Sequence, residues 1–420
     1  MRILFFLSLL TFSSCYNELK SPELSNIEFT ITYQENGRIK DIGKYIDGYK
    51  EGEWKEYSIR NNNILNIGKY VNGNKEGEWK TYNKNGALIK EGKYLNGMRK
   101  GEWKDYSEYG RLEKIGKYIN DKEEGEWKEY HYKYGNLESI GKYVNGLKEG
   151  EWKWYYDNGR LSEVGKFING LTDEEWKKYY QNGQLHLITR YNNGIATGEW
   201  KEYSEYGRPL SLGKYINGKK EGEWKEYKKY GEELYSVGKY VNGQEQGEWR
   251  EYFNNGQLRL IGKYINGKKE GEWKEYNKYG ELLSLGKYVN NKKEGEWKWY
   301  HKYEHLKEIG KYLNDKKEGE WKSYHDNGQL NLIRNYINDK VEGEWKSYNP
   351  KGRLRAVGKY VNGIKEGEWK ENYDMKELYH IGKYVNGNKE GDWKRYNKYG
   401  QIEKIAEYSN NKFLGFRKMN

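Results

Sequence analysis

The 420-residue chain has little of what an ordinary globular domain is built from. Only 35% of its residues are hydrophobic and phenylalanine occurs eight times. Leucine and valine are too few for the conventional cores that about two or three domains of this total length would need. Proline occurs three times and cysteine once. A single cysteine, Cys15, excludes an internal disulfide and a cysteine-built metal site. No apolar period of 3.6 residues appears beyond the N-terminal run, which excludes an amphipathic helical bundle.

Aromatic residues and glycine are abundant instead. Tyrosine occurs 45 times, tryptophan 17 times and glycine 52 times. Disordered chains are poor in aromatics, so disorder does not explain the low hydrophobicity. The composition suits a structure that buries aromatic faces in a thin layer, one unit against the next. The formal net charge is +12, which favours polyanions. Glutamate and lysine nevertheless alternate along the whole chain, leaving no dense basic patch, and no nucleic-acid partner is expected.

One tryptophan register accounts for the pattern. It comprises Trp54, Trp79, Trp103, Trp127, Trp152, Trp176, Trp200, Trp224, Trp249, Trp273, Trp297, Trp321, Trp345, Trp369 and Trp393, spaced 24 residues apart eleven times and 25 three times. The repeating unit reads G-E-W-K-x-Y-x-x-x-G-x-L-x-x-[IVL]-G-K-Y-[VI]-N-G, as from Gly271 to Asn290. About sixteen such units fit the chain, and a fixed period of this size marks a tandem array. In the longer units the extra residue falls between Trp and the Gly of G-K-Y: Trp54 to Gly68, Trp127 to Gly141 and Trp224 to Gly238 are each 14 apart, against 13 elsewhere. Insertions are tolerated in turns, so that stretch is a turn, and Pro209 and Pro350 fall in it. Asn-Gly or Asn-Asp, as at Asn72-Gly73, makes the second turn, because both residues tolerate positive φ.

Each unit is therefore a β-hairpin of Glu-Trp-Lys-x-Tyr and Leu-x-x-Ile-Gly-Lys-Tyr-Val. The expected fold is all-β, an elongated single-layer antiparallel β-meander or solenoid. Alternation puts Leu112, Gly116 and Tyr118 on one face and Ile115 and Ile119 on the other. Trp and Tyr rings are expected over glycines of neighbouring strands, where no Cβ blocks them. Trp154 and Trp299 lie outside the register, two residues after Trp152 and Trp297 and on the same face. They are candidate partner-binding residues that could widen an aromatic platform, or they simply stack on their neighbours. The first and last copies lack the Trp: Thr30 and Arg417 occupy its place.

At the start of the chain, Arg2 precedes an apolar run from Ile3 to Phe12, then Ser13, Ser14 and Cys15. The run is too short for a stable membrane span and reads as a secretory signal. Thr11-Phe12-Ser13-Ser14-Cys15 resembles the lipobox of bacterial lipoproteins, although Phe12 stands where Leu is usual. That resemblance implies a signal peptide over residues 1–14, lipidation of Cys15, a flexible tether over 15–28 and an array over 29–420. The chain would then be exported and lipid-anchored to the bacterial cell envelope. The other reading is an ordinary signal peptide with a chance cysteine.

The G-E-W-x-x-Y-x-x-x-G pattern followed by G-x-Y-x-N-G resembles the MORN repeat family, and within it the bacterial variant often named for toxin–antitoxin systems. The resemblance covers residues 29 to 420 and implies a single-layer antiparallel sheet that serves as a scaffold for protein or membrane-lipid contacts. The family's main repeat form carries more glycine and a Tyr-x-Gly-x-Trp core, so its lipid binding transfers poorly. An antitoxin is a cytoplasmic inhibitor, at odds with an export signal.

Catalysis needs a unique constellation, and none stands out. His131, His186, His301, His305, His325 and His380 are scattered over different repeat positions. His301 and His305 span a strand end and a turn with no third ligand, so no metal site is expected. A phosphate-loop near-match, Gly110 to Tyr118, has one residue too many between its glycines and Tyr in place of Ser or Thr. No catalytic residue, cofactor or small-molecule substrate is expected. The sequence reads as a non-catalytic, membrane-anchored scaffold that binds a protein or host-surface partner along an aromatic sheet. A cell-wall or glycan-binding repeat protein and an inhibitor of a co-encoded toxin are the alternatives.

Overall fold

The computed structural model describes residues 27–35, 37–58, 61–228, 233–372 and 379–418. The signal segment 1–14 and Cys15 lie outside the described residues. The chain forms two compact units, Met1–Arg208 and Pro209–Asn420. In the first, fifteen strands run from Ile27–Tyr33 to Ile195–Tyr203; in the second, eighteen run from Pro209–Ile216 to Lys412–Arg417. One 3-10 turn, Lys302–Glu304, is the only helical element among the described residues. Within each unit consecutive strands pair antiparallel, so each is a single-layer β-meander and the fold class is all-β.

The strands Lys268–Tyr276 and Leu282–Val289 illustrate the hairpin. Glu272 pairs with Lys287, Trp273 with Gly286 and Lys274 with Leu285. Ser284 and Gly286 are buried while Lys287 between Gly286 and Tyr288 is exposed, the alternation expected of a pleated strand with one covered face. The Asn-Gly turns have φ near +50° at Asn and +80° at Gly, as at Asn72 (47°) and Gly73 (78°). Two consecutive positive φ values define the type I′ turn, whose twist matches that of the strands it joins. In the other turn, Gly86 N–H donates to the Asn83 carbonyl at 2.9 Å and Asn83 N–H to that of Ala87 at 2.8 Å. In the longer units the closing bond spans one residue more, from Ser58 to Asn63 and from His131 to Asn136. The inserted residue is thus absorbed by that turn.

The first strand of the hairpin is longer than Glu-Trp-Lys-x-Tyr. It begins four residues earlier, at Lys268 in this unit, and carries a bulge. Ile261 pairs with Lys274 and Lys263 with Glu270, so Gly262 alone opposes Gly271, Glu272 and Trp273. Gly271 has φ of +72° there, a conformation that glycine adopts without strain. The bulge bends the strand and swings the indole over the glycine opposite.

Candidate functional site

A register Trp sits on the glycine eleven residues before it: Trp79 on Gly68, Trp273 on Gly262, Trp321 on Gly310. A Cβ at any of these glycines would overlap the indole. The seat is glycine in thirteen of the fifteen copies. In many copies the indole N–H then donates to the carbonyl of the residue after the seat, as Trp79 to Lys69 at 3.1 Å, Trp297 to Lys287 at 3.1 Å and Trp321 to Lys311 at 3.2 Å, whereas the buried N–H groups of Trp54, Trp127, Trp273 and Trp393 have no partner among the described residues. Burial is nearly complete, 0% exposed at Trp321 and Trp369. An indole covered to this extent withdraws on the order of 200 Å² from water, worth at most roughly 5 kcal/mol.

Between successive indoles stands the Tyr of G-K-Y, edge-on. In the first unit the ladder runs from Tyr45 through Trp54, Tyr70, Trp79, Tyr94 and Trp103 onward to Tyr191, with Phe167 as one rung. Centroid separations along it are as short as 5.0 Å between Tyr118 and Trp127 and as long as 6.3 Å between Trp152 and Phe167. In the second unit it runs from Tyr215 to Tyr336 and again from Trp345 to Tyr408. Such edge-to-face pairs contribute about 0.5–1.5 kcal/mol each beyond burial. The expectation of rings over glycine holds for Trp; the Tyr rings lie between indoles instead.

The lysine four residues before Trp closes the other side. Lys50, Lys220, Lys365 and Lys389 each hold their ammonium 4.0 Å from the centroid of the following Trp ring. Burial lowers the pKa of Lys75, Lys148, Lys269, Lys293, Lys317 and Lys389. Burial also pushes Tyr70, Tyr118, Tyr240 and Tyr312 up to about 12. Where all three are present, glycine backbone, Tyr edge and Lys stem enclose the indole, and the ladder is the core of the hairpin array.

Trp154 and Trp299 join this core. Trp154 stacks on Trp152 at 5.8 Å and meets Trp176 at 5.8 Å; Trp299 stacks on Trp297 at 5.8 Å and meets Trp321 at 5.5 Å. Both are half-buried. The residue at their position is elsewhere most often Glu, which pairs with the covering lysine, as Glu371 does with Lys365 at 3.2 Å.

The opposite face is charged and aliphatic. Glu272 pairs with Lys274 at 2.9 Å, Glu320 with Lys322 at 2.7 Å and Glu126 with Lys128 at 2.8 Å, each within one strand. Those lysines face the half-buried Ile, Leu or Val before the seat glycine. Exposed aromatics at turns include Tyr109 and Tyr206 in the first unit and Tyr279, Tyr303 and Tyr399 in the second, 67–79% exposed. They recur six residues after the register Trp, a position the sequence reading did not single out although the K-Y-G and E-Y-G turns mark it.

His186 and His380 lie in strands, and the other four histidines stand at turns. His301 and His325 bond the backbone carbonyls of Tyr324 and Tyr348 at 3.0 Å, and His305 that of Asp326 at 2.7 Å. Among the described residues no group of three His, Cys, Asp or Glu is placed to hold a metal ion. No helix among them is long and apolar enough to cross a membrane.

This geometry defines a tandem β-hairpin repeat protein. Five segments match the MORN repeat variant: residues 75–96, 148–169, 175–193, 245–266 and 317–338. Four of them begin four residues before a register Trp, at Lys75, Lys148, Glu245 and Lys317, and end at the first Asn of the tight turn. These matches support a MORN repeat family for the array. No curated protein matches the chain significantly. Solved structures similar to it include a TcdB2-TccC3-Cdc42 crystal structure, at 11% identity over 91% of this chain and 30% of that one, TM-score 0.14. Another is a Photorhabdus luminescens Tc holotoxin pore carrying the TccC3 substitution D651A, at 10% identity over 90% and 27%, TM-score 0.15. The chain spans less than a third of either, and at such TM-scores nothing carries over from them.

Proposed function

We propose that the chain is a non-catalytic interaction scaffold, exported and held at the bacterial cell envelope by a lipid on Cys15. The observation that carries this reading is the division of labour among the side chains. Trp, Tyr and Lys of the repeat are consumed by the ladder, whereas the Glu–Lys rows recur from unit to unit in solvent, joined at some turns by an exposed tyrosine. A surface of recurring, equivalent contacts suits an extended partner, bound weakly at each unit and firmly over many.

Two measurements test it. Cys15→Ala is expected to release the protein from the membrane fraction, and unchanged partitioning would remove the anchor from the reading. Removing central units in whole repeats is expected to weaken crosslinking to the cognate partner in intact cells step by step. Undiminished crosslinking by the shortened chain would show that no distributed surface is used.

A glycan-binding role is the second reading, favoured by the exposed turn tyrosines. The fully buried register indoles, such as Trp321 and Trp369, are too enclosed to stack on sugars, so retention on purified peptidoglycan is expected to fall when Tyr279, Tyr303 and Tyr399 are replaced together by Ser. Equal retention would count against it.

A further inference from the structure

The seat beneath one tryptophan of the second unit is blocked. Eleven residues before Trp345 stands Arg334 in place of glycine, and the two are paired across neighbouring strands. The Arg334 guanidinium rises from the sheet to donate to Glu308 Oε1 at 2.7 Å. Trp345 cannot settle where a side chain already lies. Among the described residues no ring contact joins it to Tyr336, and it tilts toward Trp369, 5.3 Å away with 39° between the rings. The covering lysine is also missing, since Val341 occupies its place. Trp345 is left half-buried, whereas Trp321 and Trp369 on either side are closed.

A groove of about 830 Å³ opens beside the displaced indole. Its floor is Trp345 with Leu332 and Ala356. A further departure widens it: the position three residues after Trp, Tyr in the other fourteen copies, is Asn372 here. The amides of Asn331 and Asn349 stand along its walls, and Arg353 and Arg355 at its rim. Neither arginine forms an ion pair among the described residues. A volume of this size is within the range of ligand pockets, roughly 300–1,000 Å³.

We propose that this groove binds a carboxylated sugar residue within a polysaccharide chain. The indole and aliphatic floor take the C–H face of the ring, the amides take its hydroxyls, and Arg353 and Arg355 take the carboxylate in the bidentate geometry that guanidinium groups favour. An extended peptide is a poorer occupant. The strands beneath the groove, Leu330–Ile337, Lys340–Tyr348, Leu354–Val361 and Ile364–Asn372, are paired on both sides, so no free edge offers backbone hydrogen bonds to a peptide. This inference rests on Arg334 and its surroundings alone and needs neither the lipid anchor nor the turn tyrosines.

Titration calorimetry on the full chain tests it, with oligogalacturonate as the probe and a neutral malto-oligosaccharide and polyglutamate as comparators. Oligogalacturonate is expected to bind, and Arg353→Gln with Arg355→Gln, both exposed and remote from the ladder, to weaken it ten-fold or more. The decisive variant is Arg334→Gly. It removes no lining residue but frees the seat, so Trp345 is expected to drop into the ladder, raising thermal stability while abolishing binding. The proposal is overturned if the wild-type chain takes up the neutral oligosaccharide or polyglutamate as tightly as the acidic sugar, or binds none of them. It is equally overturned if Arg334→Gly gains stability and keeps its affinity.

Discussion

Lys317 holds its ammonium 3.8 Å from the centroid of Trp321 and 5.4 Å from that of Tyr336, capping two rungs of the ladder at once. Its stem lies on the indole while its charge reaches Glu308 at 3.7 Å. Lys317→Ala is expected to destabilise the second unit by about 1–2 kcal/mol, since both the cation–π contact and the apolar cover are lost. Lys317→Met, which keeps the cover, is expected to recover about half of that. The midpoint of urea unfolding reads the difference, and equal midpoints for the two variants would assign the whole effect to the charge.

The seat glycine and the bulge glycine fail for different reasons. Gly310→Ala drives a methyl into Trp321, and overpacking of this kind costs about 1–3 kcal/mol. At Gly319 open space surrounds the added methyl. Only the φ of +69° opposes it, at roughly 1 kcal/mol. Near-ultraviolet circular dichroism separates the two: Gly310→Ala is expected to disturb the tryptophan signal and Gly319→Ala to leave it intact.

Glu174 occupies the bulge position that is glycine in the other register copies, with φ of +55°. Glu174→Gly relieves that strain but gives up an exposed ion pair to Lys166, an interaction typically worth under about 1 kcal/mol. The first unit is expected to gain a few tenths to about 1 kcal/mol, read as a higher melting temperature. A lower one would mean that the ion pair outweighs the backbone.

The ladder gives stability a signature in alkali. Tyr70, Tyr118, Tyr240 and Tyr312 are held at about 12 by burial, against an ordinary value of 10.0. The folded chain keeps these protons after the unfolded chain has released them. Their contribution is therefore whole below pH 10 and is lost between about 10 and 12. The covering lysines, Lys317 among them, act oppositely: burial lowers their pKa, so the folded state sheds protons first and stability rises toward pH 10.5. Stability should hold or climb slightly up to about pH 10 and then fall steeply, with delayed phenolate absorbance appearing together with loss of β-signal. Unfolding that began well below pH 10 would contradict this balance.

The period, both turns and the meander were legible because they depend on spacing, and Asn-Gly at Asn72-Gly73 or the extra residue before Gly68 can be read without coordinates. The seating of Trp on glycine was legible in kind but not in partner, because the partner is eleven residues back and across a bulge. The glycine two before each Trp carried the signal for that bulge, since glycine inside a strand marks an irregularity, yet the strand was begun after it. The capping role of Lys317 was not readable, because alternation alone assigns it no face once a bulge intervenes. Arg334 was visible as a departure, but its effect on Trp345 follows only when the seat is known.

The glycine that seats an indole lies on the strand before it, across the tight turn, so every rung is built from residues at one fixed separation. Any insertion or deletion of a whole period, wherever it starts, therefore restores a seat eleven residues before the next indole. A gene of this kind can lengthen or shorten by slippage at any breakpoint that keeps the period, and every product remains packed at its new junction. Copy number is then a heritable quantity that selection can adjust without ever passing through a broken interior.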